Sequence, residues 1–175
     1  MLNPDYKEML LLLKKYDVDF LLIGAYALAF HGVPRSTGDI DFFVKCSVVN
    51  SQKIFLALAE FGAPVKDIET DYLSKYGNMF QVGVAPCRID LITQIDGLLY
   101  EDVKFENAMV DGVEIKIISR DDFIRNKKAA GRLKDLADVQ ELIRMLNLPE
   151  QLGLQIDRSV RDEYVRLWQT VQPRK

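Results

Sequence analysis

The sequence predicts a mixed α/β (α+β) fold: a mixed sheet flanked by helices, followed by a helical region. Three observations lead there. Apolar runs of strand length recur as far as Ile118, each bounded by turn-forming residues. Segments with the apolar spacing of a helix separate the earlier runs. Beyond Ser119 only the helical pattern remains.

Taken in order, residues 4–16 read as an amphipathic helix, with Tyr6, Met9, Leu10, Leu13 and Tyr16 on one side. Phe20–Ile23 is a short apolar strand, and Gly24 opens an Ala-rich helix at 25–30 with Gly32 as its C-cap. Residues 33–38 form a polar loop, Asp39–Val44 a strand, and 51–61 a helix closed by Gly62 and Pro64. Residues 79–84 and 88–93 read as two strands joined by a turn at Ala85-Pro86, and Val113–Ile118 as another after the turn at Asp111-Gly112. Helices are expected at 121–130, with Ser119 as N-cap, at 133–146 and at 156–168, with fraying over 172–175. The chain thus divides into a core, 1–118, and a helical C-terminal region packed on it, 119–175.

A chain of 175 residues suits one domain, or one with a helical appendage, and an apolar fraction of 49% suffices for a core. The net charge of -3 argues against nucleic-acid binding over the whole surface. Cys46 and Cys87 are too few for a disulfide framework and form no CxxC pair, so both are read as reduced thiols. The start of the chain lacks a basic signal region, and the apolar run at 9–13 stops at Lys14 and Lys15. The expected setting is the cytoplasm, without a membrane.

Four features carry chemistry. In the first, Gly24 lets the chain turn from strand to helix and approach a ligand closely, with Ala25 opening the helix. A plain strand-helix connection explains this equally when it stands alone. In the second, Asp39 and Asp41 lie two apart on a strand and share a face, while Ile40 and Phe42 point to the core. Two carboxylates on an apolar strand repel each other and call for a cation. In the third, Asp90 is an acid in the apolar strand Arg88-Ile89-Asp90-Leu91-Ile92. Should this strand lie beside the Asp39 strand, three carboxylates converge and can hold divalent cations. In the fourth, Lys116, Arg120, Arg125, Lys127, Lys128, Arg132 and Lys134 face only Asp121 and Asp122 in the same stretch. That run is either a solvated face or a phosphate clamp. Arg35 and Thr37, in the loop before the acids, are secondary candidates for contact with phosphate or the carboxylates. His31, before Gly32, is read as a capping imidazole, and Trp168 as helix packing.

Together, Gly24-Ala25, Asp39-Ile40-Asp41 and Asp90 resemble the nucleotidyltransferase superfamily of the DNA polymerase beta type. The stretches LLIGAYALAFHGVPRSTGDIDFFV and ISRDDFIRNKKAAGRLKDLADVQEL look like its AbiEii-related branch, which includes toxins of toxin–antitoxin systems. In that branch a Lys, an Arg and a Lys-Asp pair recur, matching Lys127, Arg132, Lys134 and Asp135. Ala25 departs from the usual Gly or Ser and removes a hydroxyl. The resemblance implies a minimal nucleotidyltransferase fold and two-metal catalysis with Mg²⁺ or Mn²⁺ held by Asp39, Asp41 and Asp90. It further implies a nucleoside triphosphate, ATP included, held by Gly24, Ala25, Lys127 and Arg132. The acceptor stays open among RNA ends, proteins and small molecules, and an antitoxin is one implied partner. The rival expectation is a nucleotide-binding or regulatory protein that has lost turnover.

Overall fold

The computed structural model describes residues 2–152, with side chains as far as Met145. The expected helix at 156–168, with Trp168, and the expected fraying at 172–175 lie outside the described residues. Among those described are six strands in one sheet and five α-helices.

Helix α1 (Pro4–Lys15) starts with Pro4 in the first turn and Asn3 as N-cap, and buries Tyr6, Met9, Leu10 and Leu13 as the spacing requires. Strand β1 (Phe20–Ile23) runs into α2 (Gly24–Phe30) with no intervening loop, and His31 and Gly32 end that helix. Strand β2 (Asp39–Val44) follows the loop, then α3 (Val48–Phe61). The latter starts three residues ahead of the expected 51, because the Ser47 side chain accepts from the Asn50 amide and caps the earlier turn. Gly62, left-handed at φ 83°, closes it.

Strands β3 (Met79–Val82) and β4 (Arg88–Ile92) are shorter than expected, since the turn around Gly83 and Pro86 takes the intervening residues. Strand β5 (Phe105–Val110) has no counterpart in the sequence expectation, and β6 (Val113–Ile118) follows it. Helix α4 (Arg120–Ala130) has Ser119 as its cap, as expected. Helix α5 (Leu133–Leu152) runs past the expected end at 146, and through Pro149, which contributes no amide hydrogen and so leaves one helical bond unmade.

The sheet order is β3-β4-β2-β1-β6-β5. Strand β1 pairs antiparallel with β2 and parallel with β6, β2 pairs parallel with β4, and the two outer pairs are antiparallel hairpins. The sheet is therefore mixed, as the sequence predicts. Ile40, Phe42, Phe43 and Val44 of β2 are all buried, so both faces of this central strand are covered. Among the described residues no helix is long and apolar enough to cross a membrane.

Candidate acidic cleft

The parallel pairing of β2 with β4 sets the site. Its register puts Asp39 beside Arg88 and Asp41 beside Asp90. Since residues two apart share a face, all four side chains project from the same side of the sheet. One oxygen from each of Asp39, Asp41 and Asp90 lies within 4.8 Å of the others. The two strands thus bring the three predicted acids together.

Arg88 completes this square. Its Nη2 donates to Asp39 Oδ2 at 2.6 Å and to Asp90 Oδ2 at 3.0 Å, while Nε donates to Asp90 Oδ1 at 2.9 Å. Gln81 of β3 adds a fourth bond, to Asp90 Oδ1 at 3.2 Å. Thr37 donates to Asp39 Oδ1 at 2.5 Å, so it serves a carboxylate. Among the described residues no donor reaches Asp41.

That difference has an electrostatic consequence. Burial, then the Asp39 and Asp90 carboxylates, push Asp41 up to about 6, against the opposing pull of Lys127 and Lys134. The folded protein therefore holds this proton more tightly than the unfolded chain does. Stability is lost as pH rises from the ordinary carboxylate range through about 6. Two units correspond to about 3 kcal/mol, an order-of-magnitude figure. Asp41→Asn should raise the melting temperature of the metal-free protein at pH 8 by several degrees, and by much less at pH 4. Melting curves at both pH values check this; a gain independent of pH would exclude the ionisation of Asp41 as its origin.

Gly24 stands against the same carboxylate. Its φ is +65°, and a Cβ built there would lie 2.0 Å from Asp41 Oδ2. The glycine is needed both for the turn and for the space Asp41 occupies.

A cleft of about 400 Å³ joins these residues to the basic side. Gly24, Ala25, Arg35, Lys127, Arg132 and Lys134 line it together with the three acids. Of the basic run, Lys127, Arg132 and Lys134 reach the cleft; Lys128 is exposed, and Lys116 lies over the Phe105 ring at 4.7 Å, on the far edge of the sheet. Lys127 is not a solvated cation: it is 6% exposed, with Nζ 2.5 Å from Asp135 Oδ1 and 3.8 Å from Asp138 Oδ2. Arg132 pairs with Asp135 through Nε, and Arg35 with Asp138 through Nε at 3.0 Å and Nη2 at 3.3 Å. His31 is the residue after α2, but its Nε2 bonds the Ile118 carbonyl at 2.8 Å. The imidazole thereby fastens α2 to the end of β6, and the His31 backbone N–H, bonded to the Ala27 carbonyl, closes the helix.

Gln81 and Asp138 are participants that sequence reasoning missed, as it missed the bridge from Arg88 to Asp39. Arg88 stood two residues before Asp90, which put it on the same strand face; its reach to Asp39 depends on the strand register. Three converging carboxylates, one of them without a donor, are a donor set that fits a hard divalent cation.

Comparison with known proteins bears on the fold and the family. The chain shares its fold with a crystal structure from Thermotoga maritima provisionally assigned as a nucleotidyltransferase, at TM-score 0.51 and 16% identity, covering 84% of this chain and 96% of that one. No curated protein sequence matches significantly. The family described as nucleotidyl transferase of unknown function (DUF2204) matches over residues 3–174. With nearly the whole chain matched, the protein belongs to that nucleotidyl transferase family.

Proposed function

We propose that this protein transfers a nucleoside monophosphate from a nucleoside triphosphate to an acceptor hydroxyl. The observation that carries the proposal is the convergence of Asp39, Asp41 and Asp90 in the cleft that Lys127, Arg132, Arg35 and Lys134 also line. Carboxylates at one side and cations at the other match a reaction whose catalysis is mainly positioning and charge stabilisation.

The roles follow from placement. Gly24 and Ala25 allow the triphosphate to lie close to the backbone, with the Ala25 amide in place of a hydroxyl. Lys127, Arg132 and Lys134 face the β- and γ-phosphates. Asp39 and Asp41, with Asp90, hold Mg²⁺ or Mn²⁺, which when bound neutralises charge building on the transferred phosphoryl group. Asp90 takes the acceptor's proton. The acceptor oxygen then bonds to the α-phosphorus as the bond to the bridging oxygen breaks, and pyrophosphate leaves toward the cations. Arg88 and Gln81 fix the orientation of Asp90, and Thr37 that of Asp39. Residues 1–118 supply the acids and Arg35, and the described part of the helical region supplies Lys127, Arg132 and Lys134.

A second reading is a nucleotide-binding or regulatory protein without turnover, as a component of a toxin–antitoxin system of the AbiEii-related kind. Ala25 and the engagement of Arg88 with two of the three acids favour it. The test incubates each labelled triphosphate and Mg²⁺ with RNA, protein and small-molecule fractions. Transfer of label by wild type, but not by the Asp39→Asn, Asp41→Asn double variant, is expected. Stabilisation by nucleotide and metal without transfer to any fraction would instead establish the regulatory reading.

A further inference from the structure

The loop at 33–38 carries two side chains that reach in different directions. Thr37 bonds Asp39 at 2.5 Å, and Arg35 lays its guanidinium across both oxygens of Asp138, 103 residues away on α5. The loop therefore ties the acidic strand to the helix behind the basic wall. Asp138 is 6% exposed and also lies 3.8 Å from Lys127. Asp135, one helical turn earlier on the same face, is fully buried and pairs with Lys127 and Arg132. Two buried carboxylates thus anchor three of the cleft's five cations; Arg88 is engaged by Asp39 and Asp90, and Lys134 has no ion pair among the described residues.

Three cations facing an empty cleft repel one another and sample many rotamers. Two buried carboxylates offset the repulsion and fix the geometry of side chains that line the cleft. Asp138 has a second property. Its partner Arg35 comes from the loop before β2, whereas Lys127 lies on α4 and Arg132 between α4 and α5, so this pair sets the loop against α5.

We propose that Asp138 is a positioning residue for the triphosphate: it holds Arg35 at the cleft and, through the loop, sets the basic wall relative to Asp39. The inference rests on the nucleotidyl-transfer reading of the cleft. Asp138 itself touches no nucleotide, so its effect passes through Arg35.

The test is a double-mutant cycle on affinity, which separates action through Arg35 from general loss of stability. Binding of a non-hydrolysable ATP analogue with Mg²⁺, and of inorganic tripolyphosphate, is measured by calorimetry for wild type, Asp138→Asn, Arg35→Ala and the double variant. Each single change is expected to weaken binding about tenfold, the scale of one charge-assisted hydrogen bond. The double variant should bind no more weakly than Arg35→Ala. Wild-type affinity in Asp138→Asn, even with a lowered melting temperature, would overturn the proposal, as would losses that add. Failure of wild type to bind either ligand would overturn the functional reading along with it. Should Asp138→Asn not fold, Arg35→Lys gives the same reading: it keeps the charge but cannot span both carboxylate oxygens, and is expected to lose part of the affinity. Unchanged affinity in that variant would overturn the proposal.

Discussion

Gly24→Ala should lower the melting temperature modestly and nucleotide transfer severely. The backbone contribution comes from φ +65°, where a Cβ costs about 1–2 kcal/mol. For a chain of this size that is a drop of about 3–6 °C. The second contribution is local to the site. The new methyl would stand 2.0 Å from Asp41 Oδ2 and 2.8 Å from its Cγ, so the carboxylate must rotate away. Rotation relieves the clash with the carboxylate, and Asp41 Cβ, at 3.1 Å, has to give by only a few tenths of an ångström, so the cost to the fold stays modest. The rotation is expensive for the chemistry, because it takes Asp41 out of the 4.8 Å cluster with Asp39 and Asp90. A displacement of about 1 Å at a catalytic group costs on the order of 100-fold in rate. Affinity for Mn²⁺ should fall with it. Gly62→Ala is the control: its φ is +83°, and a Cβ there meets nothing within 4 Å. It should lose similar stability while keeping metal affinity and transfer. Equal loss of activity in both variants would show that backbone strain, and not the displacement of Asp41, is responsible.

The fold was legible wherever local pattern and tertiary environment agreed. Phe20–Ile23, Asp39–Val44 and Val113–Ile118 fall at the expected residues, because each sets its apolar residues into the core: the first is buried throughout, and the other two carry their polar residues at alternate positions. Strand β5 was hidden for the opposite reason. Phe105–Val110 lies at the edge of the sheet, exposes half of its residues and includes Glu106 and Asn107. Its signal was the turn after it: Asp111 and Gly112 both have positive φ, as a two-residue hairpin requires, and a hairpin needs a preceding strand.

The candidate site divides in the same way. The shared face of Asp39 and Asp41 follows from strand period alone. The arrival of Asp90 beside them depended on a parallel pairing across 49 residues, which local sequence does not determine. The same register decided the role of Arg88: strand period puts it on the face of Asp90, and the pairing lets it bridge two of the three acids. The basic run misled in a different manner. Its cations were counted as one surface, but helix geometry buries Lys127 against Asp135 and leaves Lys128 in solvent.

Asp90→Asn should remove transfer while sparing most of the nucleotide affinity. Asp39 and Asp41 come from one strand, next to the turn at Gly24 and the cations beyond it. Asp90 comes from β4, on the side away from that turn, with only β3 outside it. If pyrophosphate leaves toward the cations, the attacking hydroxyl approaches from the opposite side, where Asp90 stands. A group that accepts the proton in the transition state contributes about 10²- to 10⁴-fold in rate. Its contacts with the bound triphosphate in the ground state are few, so affinity should change by less than about threefold. The amide keeps the shape of the carboxylate but presents an NH₂ to one of the Arg88 donors, so some stability is lost as well. Calorimetry with the ATP analogue, radiolabel transfer and melting curves on the same preparation separate these effects. Full transfer in the variant would exclude Asp90 as the proton acceptor. Parallel loss of affinity and transfer would place Asp90 among the groups that hold the nucleotide or its metal. Loss of transfer alone, with affinity intact, is the expected result, because Arg88 and Gln81 hold Asp90 from the strands while Arg35 and Lys127 are held separately by Asp138 and Asp135.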